Sequence, residues 1–346
     1  MSAALPVHQR SFVFEVTRKC HHACPHCYNV WKAADYPDGE LSTVRTLDLL
    51  GRMLDQTQAT LVTLSGGEPL LRSDLVEIVD FLTGRGVGMN LVTNGTLLEE
   101  SVIDRIGPER IQIFELPLLS AIPEVHDEMS GLTGAFNLVT RAIADLKLKK
   151  ARVVVVFVAT RKNLKQFRET AELAIILGVD GMMFNRFNPG GEGMKHIEAL
   201  QAFPAELQEA LDEAEAFSES FDFPIGCSIA MPPCLIDTGR YRRLTFGFCG
   251  AGTDRAYYTL DPVGNVRPCN HSPTILGNLL ENSFAELIQG PIMRNFLDAR
   301  PGFCSGCRLE NECMGGCKAA AEVCCGSPWK SDPFLSANKA QARKIP

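Results

Sequence analysis

Ser11-Phe-Val-Phe-Glu-Val16 runs into Thr-Arg-Lys-Cys20-His-His-Ala-Cys24-Pro-His-Cys27-Tyr28. The first six residues are rich in aromatic and β-branched side chains, which predicts a strand. Three cysteines follow it at once, spaced by three residues and then by two. Parallel α/β folds place their reactive groups at the C-terminal ends of strands. A strand that empties into a thiol cluster therefore points to such a fold, with its centre at this edge.

Outward from this stretch the same signal recurs. Apolar β-rich runs stand at Thr60–Leu64, Val87–Thr93, Arg110–Leu116, Arg152–Val158 and Gly181–Arg186. Amphipathic stretches lie between most of them. Ser42–Gln56 carries Leu47, Leu50 and Leu54 on one stripe, and Ser73 is placed to cap a helix over Asp74–Thr83. Phe136–Lys150 and Leu164–Leu177 are further helices, the second ended by Gly178. Val153–Val158 is apolar throughout, as expected of a parallel strand covered on both faces. Six β/α repeats predict an α/β fold, a partial (β/α)6 TIM-type barrel two repeats short of the full eight.

Pro204–Phe223 reads as one more helix, taken as a bridge. Beyond it the composition changes: Gly226–Gly326 holds ten of the thirteen cysteines. Ala256–Leu260 and Val266–Pro268 flank Asp261-Pro-Val-Gly-Asn265 and predict a hairpin. Short helices are expected near Ser283–Gln289 and Ile292–Ala299. The expected division is a barrel over residues 1–200, a bridging helix over 201–225, a small cysteine-rich α+β domain over 226–330 and a frayed polar tail over 331–346.

The 346 residues are 45% apolar and 22% charged, an ordinary globular composition. A net charge of −7 argues against general binding to nucleic acid or anionic membrane. The N-terminus has no signal-peptide pattern, and no apolar stretch reaches membrane-spanning length. A thiol-rich chain without export is expected to bind metal in the cytoplasm. Cys20, Cys24 and Cys27 can grip one corner of a [4Fe–4S] cube and leave one iron without a protein ligand. The plainer reading is zinc, with His21, His22 or His26 as fourth ligand.

The CxxxCxxC spacing followed by Tyr28 resembles the signature of radical S-adenosylmethionine (SAM) enzymes. Ser65-Gly66-Gly67-Glu68-Pro69, after the second strand, resembles that family's GGEP motif, and Thr93-Asn94-Gly95-Thr96 its turn beside SAM. The resemblance implies that Gly66–Pro69 and Asn94 bind SAM, with Glu68 meeting its ammonium group. Arg186, at the head of a glycine-rich loop ending at Gly193, is a candidate for a carboxylate of SAM or substrate. After the fourth strand the family often shows Ser-x-Asp and then His-Asp. Here Phe114-Glu115-Leu116-Pro117 precedes His126-Asp127. Glu115 is thus a candidate catalytic carboxylate, or a strand-end residue facing solvent.

The later cysteines resemble the SPASM extension of that family. Cys249, Gly264 and Cys269 are followed by Cys304-x2-Cys307-x5-Cys313-x3-Cys317 and then Cys324-Cys325. The resemblance implies two auxiliary clusters, and with the SAM cluster three [4Fe–4S] clusters. The nearer auxiliary cluster would take Cys249, Cys269, Cys317 and an upstream cysteine, Cys234 being chosen over Cys227 for its proximity in sequence. The farther one would take Cys304, Cys307, Cys313 and either Cys324 or Cys325. Zinc-ribbon structure is the competing reading of this region. The activity implied is reductive cleavage of SAM to a 5′-deoxyadenosyl radical, which takes hydrogen from a peptide or protein side chain to give an oxidised or crosslinked product. The alternative is a small-molecule oxidase or decarboxylase of cofactor or tetrapyrrole biosynthesis, and a non-catalytic electron carrier is the third reading. The first strand begins near residue 11, so no fused peptide-binding domain is expected. Partners implied are a peptide or protein substrate, with or without a separate carrier protein, and an electron donor such as flavodoxin or ferredoxin. No nucleic-acid or membrane partner is expected.

Overall fold

The structure, a computed structural model, describes residues 9–32, 36–343 and 345. Strands β1 (Ser11–Thr17), β2 (Leu61–Gly66), β3 (Gly88–Val92), β4 (Ile111–Pro117), β5 (Val153–Ala159) and β6 (Gly181–Arg186) pair in parallel in chain order. Each coincides with an apolar run of the sequence. Phe12, Phe14, Val62, Leu64, Phe114 and Leu116 are buried in one core with the flanking helices. The alternate residues face the other way and form the concave side of the barrel. In β5, Val153, Val155 and Phe157 are buried, whereas Val154, Val156 and Val158 are half-buried. That apolar run is therefore covered by helices on one face and lines the barrel interior with the other.

Between the strands, helices cover Thr43–Thr57, Leu75–Gly84, Ala135–Leu148 and Phe167–Ile176. Two short helices, Glu100–Ile106 and Pro123–Ser130, have no counterpart in the sequence reading. Pro204–Phe221 is not a bridge: Leu207, Leu211, Ala214 and Phe217 are buried in the main core, and it packs on Phe167–Ile176. It is the helix of the sixth repeat.

The cysteine-rich segment extends the barrel sheet at both edges. Strands β7 (Ile225–Cys227) and β8 (Thr245–Phe246) continue beyond β6. Strand β9 (Tyr257–Leu260) lies parallel to β1, and β10 (Asn265–Arg267) and β11 (Gly277–Asn278) follow it antiparallel. The segment expected as a separate unit thus shares the barrel's core, with Tyr258 and Phe284 packing on Phe12. The tail is not frayed either. Asp332 caps a helix over Pro333–Ala337, and Phe334 and Leu335 are buried. Lys344 and Pro346 of the tail, like the first eight residues, lie outside the described residues. Among the described residues, no helix is long and apolar enough to cross a membrane.

One contact across the two regions is an ion pair. Arg267, on β10, is fully buried and donates to Glu15, on β1. Its Nη1 also donates to Ser272 O at 2.9 Å. Burial raises the Glu15 carboxyl, and Arg267 opposes that rise. Breaking a buried pair on one side strands the other charge at a cost of about 3–5 kcal/mol. Arg267→Ala is therefore expected to lower the anaerobic melting temperature by roughly 5 °C. Replacing both partners, as Glu15→Gln with Arg267→Met, is expected to recover much of that loss. A single variant that melts with the wild type would refute this role.

Candidate active site at the barrel edge

The loop after β1 carries Cys20, Cys24 and Cys27, all half-buried thiols. A turn closed by Cys27 N donating to Cys24 O at 3.1 Å brings two of them round. The Cys24 thiol donates to Ser130 O at 3.2 Å. Burial pushes that thiol up to about 12, with Cys27 and Cys20 adding to the rise. Such thiols become ligands only where a cation replaces their protons. His26 is half-buried, while His21 and His22 turn to Thr96 Oγ1 at 2.8 and 3.2 Å. Among the described residues, no three histidine, cysteine or carboxylate groups stand where one metal ion could be held.

The glycines of the next loop serve the chain's own backbone. A Cβ on Gly66, at φ +124°, would lie 2.4 Å from Thr17 O, and one on Gly67 would lie 2.1 Å from Lys19 O. Bare backbone there lets Gly67 N and Glu68 N donate to Thr17 O and Lys19 O at 2.8 and 2.7 Å. The end of β2 is thereby seated against the root of the cysteine loop. Pro69 opens a short turn and is buried. Glu68 is 0% exposed, and its carboxylate accepts from Leu70 N, Thr93 Oγ1 and Asn94 N at 3.1, 2.7 and 2.8 Å. It holds the loops after β2 and β3 together rather than standing free for an ammonium group. Asn94 Oδ1 accepts from Thr96, but its Nδ2 is buried without a partner. That orphaned donor beside the three thiols is what a polar cofactor would satisfy.

Two further segments brace the loop. His126 meets Ser130 Oγ at 3.2 Å, and Asp127 accepts from Gly134 N and Phe136 N to start the next helix. The glycine-rich loop after β6 lies behind the cysteines, with Gly193 N donating to Cys27 O at 3.0 Å. Arg186 is buried and already engaged: Nε donates to Ala230 O at 2.8 Å and Nη2 to Asp332. It ties β6 to the C-terminal helix and offers nothing to SAM or substrate. Glu115 does face the interior. Strand register puts Glu115 level with Val92 and Val154, and Glu15 level with Ser65. Glu15 has Arg267, whereas the Glu115 carboxylate has no hydrogen-bond partner among the described residues, and burial raises it.

Seven of the remaining ten cysteines divide between two cavities. Cys249, Cys269 and Cys317 line one, with Tyr257, His271 and Lys318. Cys317 caps the helix Lys318–Cys325, and its sulfur accepts from Asn188 Nδ2 and Ala320 N, both at 3.4 Å. His271 stacks on Tyr28 at 3.9 Å between ring centres, and Asn270 donates to the Tyr28 hydroxyl. The cavity is thus directly behind the first cysteine loop. Cys304, Cys307 and Cys313 line the other cavity, and Cys234 lines it with them. The charges of those same three raise the Cys234 thiol, beyond the effect of burial. Cys234 therefore lies with the farther set and not with Cys249, as proximity in sequence suggested. Cys324 and Cys325 sit at the far end of the helix, one half-buried and one exposed, and line neither cavity. Cys227 is buried in the core as part of β7. Asn188, His271 and Asp332 went unnoticed in the sequence because each acts through a partner more than 80 positions away.

A model of the radical SAM superfamily matches residues 14–174, and a model of the SPASM iron–sulfur cluster-binding domain matches residues 249–308. The chain is 31% identical over 314 residues to mycofactocin maturase MftC of Mycobacterium ulcerans, covering 89% of this chain and 82% of that protein. It is 27% identical over 339 residues to an AdoMet-dependent heme synthase of Methanosarcina barkeri, covering 94% and 95%. Streptococcus suis SuiB, solved with the precursor peptide SuiA, superposes with a TM-score of 0.72 at 14% identity, covering 96% of this chain and 76% of that one. This last likeness is one of fold.

Proposed function

The chain belongs to the radical SAM superfamily, as an oxidoreductase-type enzyme with a SPASM domain, and we propose that it oxidises or crosslinks a peptide or protein side chain. In that reading Cys20, Cys24 and Cys27 would hold the SAM cluster. Cys249, Cys269 and Cys317 would hold the nearer auxiliary cluster, and Cys304, Cys307 and Cys313 the farther one. When bound, the reduced cluster and SAM supply a 5′-deoxyadenosyl radical that takes a hydrogen atom from an unactivated carbon. The orphaned Asn94 donor fits such a cofactor.

The protein's own part is positioning, exclusion of water and proton transfer. Glu68 fixes Asn94, while Tyr28 and His271 fix the cysteine loop against the nearer auxiliary cavity. Glu115 is the recessed carboxylate that would take the proton when the substrate is oxidised. The observation that carries this role is its freedom from any partner on a layer where Glu15 is neutralised by Arg267. Glu115→Gln is expected to leave cleavage of SAM near wild type and to lower product formation about 100-fold. Equal losses in both rates, measured as 5′-deoxyadenosine and product on one preparation, would exclude Glu115 as the base.

The peptide class is supported by the mycofactocin maturase relative. Anaerobic turnover with a co-expressed candidate peptide, followed by mass spectrometry, tests it by the loss of two hydrogens or of CO₂. The second reading, a tetrapyrrole or other small-molecule oxidase or decarboxylase, is favoured by the heme synthase relative, which matches nearly end to end. Conversion of a tetrapyrrole with the peptide untouched would select it. Delivery by a separate carrier protein and reduction by flavodoxin or ferredoxin belong to the same proposal.

A further inference from the structure

Ten cysteines lie beyond the SAM site, and the fold distributes them unevenly. We propose that Cys234 is the fourth thiolate of the farther auxiliary cluster, so that the nearer cluster is held by three thiolates and keeps one iron open to its cavity. The inference rests on the iron–sulfur reading above.

Placement carries it. Cys234, Cys304, Cys307 and Cys313 line a single cavity, which no other cysteine reaches. The two segments that supply them are each fixed. Pro232 and Pro233 restrict the backbone before Cys234, and Leu235 N and Ile236 N both donate to Pro232 O, at 3.0 and 3.1 Å. Cys307 N donates to Cys304 O at 3.0 Å, and Cys313 N to Leu309 O at 2.8 Å. The C-terminal segment then binds one to the other. Arg343 N donates to Cys234 O, and Arg308 N donates to Ile345 O, both at 3.0 Å. Leu335 and Ile345 form part of the cavity wall. A site with four thiols, stiff ligand segments and an apolar cover suits a fully ligated, water-shielded cluster.

The competing cysteines line neither cavity. Cys324 lies seven residues along the helix from Cys317, about 10 Å at helical rise. Cys227 is enclosed in the barrel core. With Cys234 committed elsewhere, the nearer cavity has Cys249, Cys269 and Cys317 and no fourth thiol. Its remaining wall includes Tyr257, His271 and Lys318, and Lys318 Nζ is occupied by Phe296 O and Leu297 O. An iron left open there faces a largely apolar cavity in which a substrate heteroatom or water would be its added ligand.

The test is iron content and electron paramagnetic resonance of the anaerobically reconstituted full chain. Cys234→Ala is expected to lose between one and about four irons per chain and, on brief oxidation, to show more [3Fe–4S] signal than the wild type gives from its two three-thiolate clusters. The Cys324→Ala/Cys325→Ala double variant and Cys227→Ala are expected to keep wild-type iron and spectra. Cys234→Ser, which retains a donor atom, guards against a folding defect; it is expected to keep most of the iron but with an altered spectrum of one auxiliary cluster. Wild-type iron and spectra in both Cys234 variants would overturn the assignment. Wild-type protein holding only about four irons would instead remove the auxiliary clusters themselves, a separate failure.

Discussion

Replacing Cys20, Cys24 and Cys27 together with Ala is expected to remove about four irons per chain out of about twelve and to abolish cleavage of SAM. The rest of the protein is expected to remain intact. The cysteine loop is held by backbone contacts that do not involve sulfur: Gly67 N to Thr17 O, Glu68 N to Lys19 O and Gly193 N to Cys27 O. Asn29 Nδ2 adds a bond to Gly66 O at 2.9 Å. The two rear cavities draw no residue from this loop. Iron assay and chromatographic detection of 5′-deoxyadenosine decide the matter. Wild-type iron near four with zinc present would sink the twin-cluster reading. Retained cleavage in the triple variant would sink the assignment of the first site.

Where the sequence was legible, a local pattern met a local constraint. The six barrel strands are apolar because the helices bury their outer face, and that composition marks them whatever the tertiary detail. Glu100–Ile106 and Pro123–Ser130 are too short for a helical period to emerge from seven or eight residues. Pro204–Phe221 has the same amphipathic pattern whether it links domains or completes a repeat, so its packing on Phe167–Ile176 was hidden. The tail reads as polar, yet Asp332 alone accepts from Arg186, from Cys317 N and from Phe334 N.

The site residues divide in the same way. Thiol spacing announces a cluster because the ligands must converge within a short loop. It says little about a ligand arriving from another segment, which is why Cys234 was grouped with its neighbour in sequence rather than in space. Motif glycines were read as room for a cofactor, whereas Gly66 and Gly67 make room for Thr17 and Lys19. Arg186 looked available because a charged residue at a strand end gives no hint that Asp332 will reach it.

Cys317→Ala is expected to separate two rates that the first variant removes together. Cys317 closes the run that begins at Cys304, yet its sulfur faces the cavity of Cys249 and Cys269. In the proposed reading, one short segment would carry ligands for both auxiliary sites and set their separation. Removing the sulfur is expected to damage the nearer cluster alone. The backbone should stay in place, since Cys317 N donates to Asp332 Oδ2 at 2.7 Å and Asp332 is anchored by Arg186. In the proposed reading, cleavage of SAM would need the loop at Cys20–Cys27 and the Gly66–Glu68 turn, which make no contact with Cys317 through their own hydrogen bonds. Product formation is expected to fall at least about tenfold further than cleavage, a difference of about 1.4 kcal/mol in barrier. The cause would be the loss of an electron acceptor, or of a binding position, behind Tyr28 and His271. Both rates must come from one anaerobic preparation, with iron counted on the same sample. A parallel fall would mean that the nearer cluster supports the fold and not the chemistry. No fall in either, at wild-type iron, would show that Cys317 is not a ligand.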